Sequence, residues 1–209
     1  MQCAAPTTMP ASTKAMQAAS CCHLLLLLFA LLPSATVAVA LPPVVPAVHG
    51  FTPGSDTFGL SETVHIVVDA QDAQATQDSG LTLIPPTLLA FAETFKEDFQ
   101  ELFPQTQVSL SVGNSGQLNA SRNVIAISLS DQLNATYADG SVTTEGYEMD
   151  VSKSDIQIVA SGSRGAFWAT RTLLQGLVLS SGQFPVGKIV DQPDWRTRGL
   201  MLGLSSDAA

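Results

Sequence analysis

Residues 147–179, YEMDVSKSDIQIVASGSRGAFWATRTLLQGLVL, decide how this chain folds. Tyr147, Met149 and Val151 alternate with Glu148 and Asp150, which is the two-residue period of a strand with one buried face. Ile156 to Ala160 is a second strand, and Ser152-Lys153-Ser154-Asp155 between the two has the composition of a short hairpin turn. The period then changes. From about Arg164 to Leu179, Ala166, Ala169, Leu173 and Leu177 recur as one apolar ridge beside Phe167, Leu174 and Val178, giving an amphipathic helix that Ser163 can cap.

Upstream the same two periods repeat. Val64-His65-Ile66-Val67-Val68-Asp69 is β-branched and nearly continuous in its apolar middle, so it reads as a strand buried on both faces, followed by a polar loop from Gln71 to Gly80. Thr87 is a plausible N-cap for a helix whose apolar residues are Leu88, Phe91, Ala92, Phe95, Phe99 and Leu102; Pro104 stops it. Glu93, Lys96, Glu97, Asp98 and Glu101 take its other face, where Glu93, Glu97 and Glu101 form a solvated stripe and not a cation cage. Residues 107–112 and 124–129 add two strands. These elements predict an α+β domain over residues 60–182, a mixed sheet of about five strands with two helices on one face. Residues 41–59, punctuated by Pro42, Pro43, Pro46, Gly50, Pro53 and Gly54, read as an irregular lead-in. Residues 183–209 read as a linker into one more apolar strand, Arg198 to Leu204.

The first forty residues have a different character. Lys14 is their one formal side-chain charge, Leu24 to Leu32 is an apolar run too short to span a bilayer, and Ala38-Val39-Ala40 supplies a small-x-small cleavage pattern. Residues 1–40 are expected to be a signal peptide cut after Ala40, which places the protein in the secretory route, extracellular or in a vacuolar or lysosomal lumen; left uncut, the segment would be a membrane anchor. Cys3, Cys21 and Cys22 all lie within it, so the cleaved chain would hold no thiol. Cleavage removes one of nine Lys and Arg and none of 18 Asp and Glu, moving the net charge from −9 to −10, which disfavours nucleic acid and anionic membranes as partners. Asn119-Ala120-Ser121 and Asn134-Ala135-Thr136 are acceptor triplets for N-glycosylation, which requires both to be exposed.

Residues able to carry chemistry are sparse. His49 and His65 are the histidines outside the signal, and neither has a second ligand at helical spacing, so no metal or other cofactor is expected. Gly113-Asn114-Ser115-Gly116 imitates a nucleophile elbow without its context, and Gly162-Ser163-Arg164-Gly165 meets no phosphate-cradle template and serves to open the second helix. Trp168 and Trp195 could stack on sugar rings, although both read better as packing residues.

Two stretches carry a resemblance. Gly165 to Gln175, GAFWATRTLLQ, and Asp191 to Leu202, DQPDWRTRGLML, together resemble the junction between the small N-terminal domain and the catalytic barrel in β-N-acetylhexosaminidases of glycoside hydrolase family 20. The resemblance implies a zincin-like accessory domain without metal, followed by strand one of a (β/α)8 barrel. Such a barrel needs about 250 residues, so residues 198–209 could be only its beginning. It also implies that Arg198 binds substrate, gripping hydroxyls of a terminal N-acetylhexosamine, with the chain's own barrel and N-acetylhexosamine glycans or chitooligosaccharides as partners. Gly203, Leu204, Ser205 and Ser206 depart from the family's continuation of that strand. The family's acid lies in an Asp-Glu pair further along the barrel, and this sequence contains no Asp-Glu dipeptide, so no catalytic residue is assigned and no hydrolysis by these residues alone is expected. The competing expectation is a stand-alone secreted module that binds glycan or protein.

Overall fold

A computed structural model describes residues 41–77, 84–114 and 123–199. The elements are β1 (Gly50–Gly59), β2 (Thr63–Asp69), α1 (Leu88–Leu102), β3 (Gln107–Gly113), β4 (Val124–Leu129), β5 (Ala135–Thr136), β6 (Val142–Thr143), β7 (Tyr147–Val151), β8 (Asp155–Ala160), α2 (Ser163–Leu179) and β9 (Gln183–Asp191). Seven strands form one mixed sheet in the order β1-β9-β7-β8-β4-β2-β3, while β5 and β6 make a separate two-stranded ribbon. β3, β2, β4 and β8 run parallel; β8, β7, β9 and β1 are joined by antiparallel pairs.

The hairpin and the helix after it fold as their periods dictate. Tyr147, Met149 and Val151 are all buried and pair with Ala160, Ile158 and Ile156. Register extends this face across the sheet: Ile156 and Ile158 stand beside Ile125 and Ile127 of β4, and these beside Ile66 and Val68 of β2. Both helices cover it and touch each other, α1 over β2 and β3, α2 over β4, β7, β8 and β9. Phe95 and Phe99 of α1, 5.6 Å apart edge to face, join Leu173 and Leu177 of α2 in the same cluster. The opposite face is mixed: Lys188 meets Glu148 at 2.7 Å and His65 lies between Ser109 and Ser111, while Val67, Val124 and Ala126 in the middle strands are buried on that side as well.

Thr87 caps α1 as its sequence predicts, its hydroxyl accepting from the Ala90 N–H at 3.0 Å. Ser163 does not cap α2. Gly162 holds the cap position without a side-chain bond, and Ser163 is the first helical residue, buried. The first turn of α2 presses on the start of β7, where a Cβ on Gly165 would lie 2.4 Å from the Gly146 carbonyl oxygen. A Cβ on Gly162 would lie 2.8 Å from the Thr144 carbonyl oxygen, and these two close approaches account for the glycines of the Gly162–Gly165 run.

The sheet is wider than the five strands expected, because β1 and β9 lie in residues read as lead-in and linker. The boundaries 60–182 therefore leave out two strands. Their prolines and glycines are those of an irregular edge pair. Register slips between Pro53 and Thr57, and opposite Pro53 stands Gly187, with φ +149° and the Thr52 carbonyl oxygen 2.4 Å from where a Cβ would stand. Phe58 and Phe184, paired and fully buried, anchor both strands to the core. Of the expected terminal strand, Arg198 to Leu204, Arg198 and Gly199 lie in coil and the rest is outside the described residues. Among those described, no helix is long and apolar enough to cross a membrane.

Candidate functional site

β7 and β9 bring Tyr147 and Asp191 side by side at one end of the sheet. Tyr147 sits on the helix side, and its hydroxyl reaches Thr172 of α2 at 2.7 Å and Asp191 Oδ2 at 2.9 Å. A carboxylate only accepts, so Tyr147 donates to Asp191 and Thr172 donates to Tyr147. Burial, and then the charge of Asp191, push the phenol far above its ordinary range and keep it neutral.

Around this pair opens a cleft of about 520 Å³, walled by residues 45–49 ahead of β1, by α2, and by the connector that follows β9. Glu145, just before β7, is 7% exposed. Its carboxylate accepts from the Trp168 indole N–H at 3.2 Å and from Arg198, with Arg164 at 3.9 Å. Arg198 also donates to the Trp195 carbonyl at 2.6 Å and lies 5.7 Å from the centre of the Trp168 ring. Across the cleft, Gln175 of α2 accepts from the Val45 N–H at 2.8 Å and donates to the Val45 carbonyl at 3.2 Å. His49 lies between two carboxylates, Nδ1 at 2.8 Å from Asp191 and Nε2 at 2.9 Å from Asp194. Hydrogen bonding to Asp191 first, then Asp194, raises the His49 pKa above 6.5.

Arg198 thus lies in the cleft, held by this domain's own glutamate. Trp168 and Trp195 line it too, and neither is a core residue: they are 42% and 67% exposed. His49, set aside as a metal ligand, is also in its wall, whereas His65 is away on β2 with Ser109 Oγ 2.6 Å from its Nδ1. Asp98, placed by its spacing on the solvated face of α1, instead pairs with Arg171 of α2. Asn134 is exposed in the coil before β5; Asn119 lies outside the described residues, as do residues 1–40. Sequence reasoning missed Glu145, whose partner Arg198 is 53 residues away, and the pairing of His49 with Asp191 across 142. No local pattern signals either contact.

Most polar side chains of the cleft are bound to one another, so the arrangement fixes three chain segments together. A second cavity, of about 450 Å³, lies beyond the ends of β2, β3 and β4, but its Asp69 and Asp72 accept from backbone N–H groups of Gln71 and Leu129 and so shape turns. Among the described residues no cluster of three or more His, Cys, Asp or Glu could hold a metal ion.

Residues 41–192 match the family model described as glycosyl hydrolase family 20, domain 2. Lacto-N-biosidase of Bifidobacterium bifidum is 24% identical over 171 residues, which are 81% of this chain but 13% of that protein. Among solved structures, Flavobacterium johnsoniae chitobiase is 19% identical, with a TM-score of 0.51 over 74% of this chain and 21% of its own. The Streptomyces coelicolor β-N-acetylhexosaminidase is 20% identical, with a TM-score of 0.50 over 75% of this chain and 28% of its own. These likenesses establish a shared fold, and this chain spans less than a third of each of these proteins. With the family model matched over residues 41–192, the chain belongs to glycosyl hydrolase family 20, whose N-terminal accessory domain it carries.

Proposed function

We propose that this domain is the non-catalytic support of a β-N-acetylhexosaminidase barrel whose first strand begins at Arg198. The observation that carries this reading is the connector after β9. It is bound to the accessory domain at every step: Thr136 N–H donates to Gln192 at 3.2 Å, Ala138 N–H to the Asp194 carbonyl at 2.9 Å, Arg196 to Ser141 at 3.0 Å, and Arg198 to Glu145. A free tail would not need such anchoring, whereas a barrel would gain a fixed starting point for its first strand. Beside the connector, α2 leaves Trp168 exposed, an aromatic face open to a packed neighbour.

In this reading Arg198 is where support and sugar site meet. Its guanidinium is oriented through Nη2 by Glu145 and through Nη1 by the Trp195 carbonyl, and its remaining N–H groups take hydroxyls of a terminal N-acetylhexosamine. The substrates are N-acetylhexosamine glycans or chitooligosaccharides, in line with the names of the chitobiase and β-N-acetylhexosaminidase that share the fold. The acid is supplied by barrel residues beyond this sequence. The enzyme works in the secretory route or beyond it, with the signal cut after Ala40 and glycans on Asn119 and Asn134. Sequencing the transcript past Ala209 tests the proposal: an open frame encoding further barrel strands and an Asp-Glu pair is expected, and a stop codon directly after Ala209 in the mature message would overturn it.

A further inference from the structure

His49 is contacted on both ring nitrogens by groups that can only accept. Nδ1 lies 2.8 Å from Asp191 Oδ1 and Nε2 lies 2.9 Å from Asp194 Oδ1. A neutral imidazole has one N–H, so it can satisfy one carboxylate while turning a lone pair on the other at under 3 Å. Both contacts are attractive only in the imidazolium. We infer that His49 is a proton-operated latch, which holds the strap ahead of β1 to the connector after β9 when charged and loosens that hold when neutral.

The surroundings support the charged form. Asp191 also accepts from the His49 backbone N–H at 3.1 Å, and its other oxygen takes the Tyr147 hydroxyl, which burial keeps neutral. The remaining charges facing this cleft are Glu145, Arg171 and Arg198. Both arginines oppose a nearby cation, but each is paired with its own carboxylate, Asp98 for Arg171 and Glu145 for Arg198. Besides His49, the strap is tied at Val45 by Gln175. Asp194 stands four residues before Arg198, so the latch ties the strap to the segment that positions that arginine.

The sign follows from the direction. The folded-state pKa of His49 is raised above 6.5, so the stabilisation is complete below 6.5 and is lost as pH climbs through the raised value. An acidic compartment therefore keeps the strap closed. This device belongs to the accessory domain and holds whether or not a barrel follows.

Both tryptophans of the sequence line the cleft, so intrinsic fluorescence reports on it. The full chain is titrated across about pH 5 to 8, following tryptophan emission and the imidazole resonances by NMR. One shared midpoint above 6.5 is expected for emission and for His49. H49Q should abolish the emission change, and H65Q should leave it. D194N, which removes one of the two carboxylates and alters a side chain 57% exposed, should lower the midpoint by about half a pH unit, the order of a weakly screened surface contact. A His49 resonance titrating at or below 6.5, an emission change that survives H49Q, or a D194N midpoint equal to that of the parent overturns the latch.

Discussion

Gly165 fixes how closely α2 can approach the sheet. A methyl group there would meet Gly146 O at 2.4 Å and Glu145 C at 3.1 Å, and backbone cannot swing aside as a flexible side chain can. Gly165→Ala is expected to destabilise the domain by about 1–3 kcal/mol, read from the urea midpoint, and to displace Glu145 from Arg198 as well. Phe99, fully buried against Phe95, is a pure core test: Phe99→Ala should cost about 3–5 kcal/mol through the cavity it leaves. Phe99 is legible in the sequence because its neighbours on the helix face repeat at three and four residues. His49 and Glu145 are not, because their partners lie 142 and 53 positions distant and only the folded sheet brings them together.

At the level of elements, what was legible is what is periodic. α1, α2 and the β7–β8 hairpin appear where alternation and helical spacing place them, and Thr87 caps α1 through a bond to Ala90. Thr87→Ala should cost about 1 kcal/mol, observable as a lower thermal midpoint with an unchanged fold. β1 and β9 escaped because an edge pair tolerates Pro53, Pro185 and Gly187, residues that signal a loop when read locally. A chain beginning at residue 60 would lose Phe58 from the core and expose the edge of β9. It is expected to elute as higher oligomers in size-exclusion chromatography where the parent is monodisperse, and monodisperse elution of both would contradict the role given to β1.

For the whole molecule, family membership was legible in the two stretches that resemble the domain junction, and the family model bears it out over residues 41–192. Glu145, Asp191 and Asp194 are held in ion pairs that join strap, helix and connector, which is the arrangement the proposed supporting role requires. The most direct measurement is release of a chromogenic aglycone from an N-acetylglucosaminide by the purified 209-residue chain. No release above the uncatalysed rate is expected at any pH at which the domain is folded; turnover that scales with the chain's concentration and vanishes with Glu145→Gln would contradict a purely supporting role.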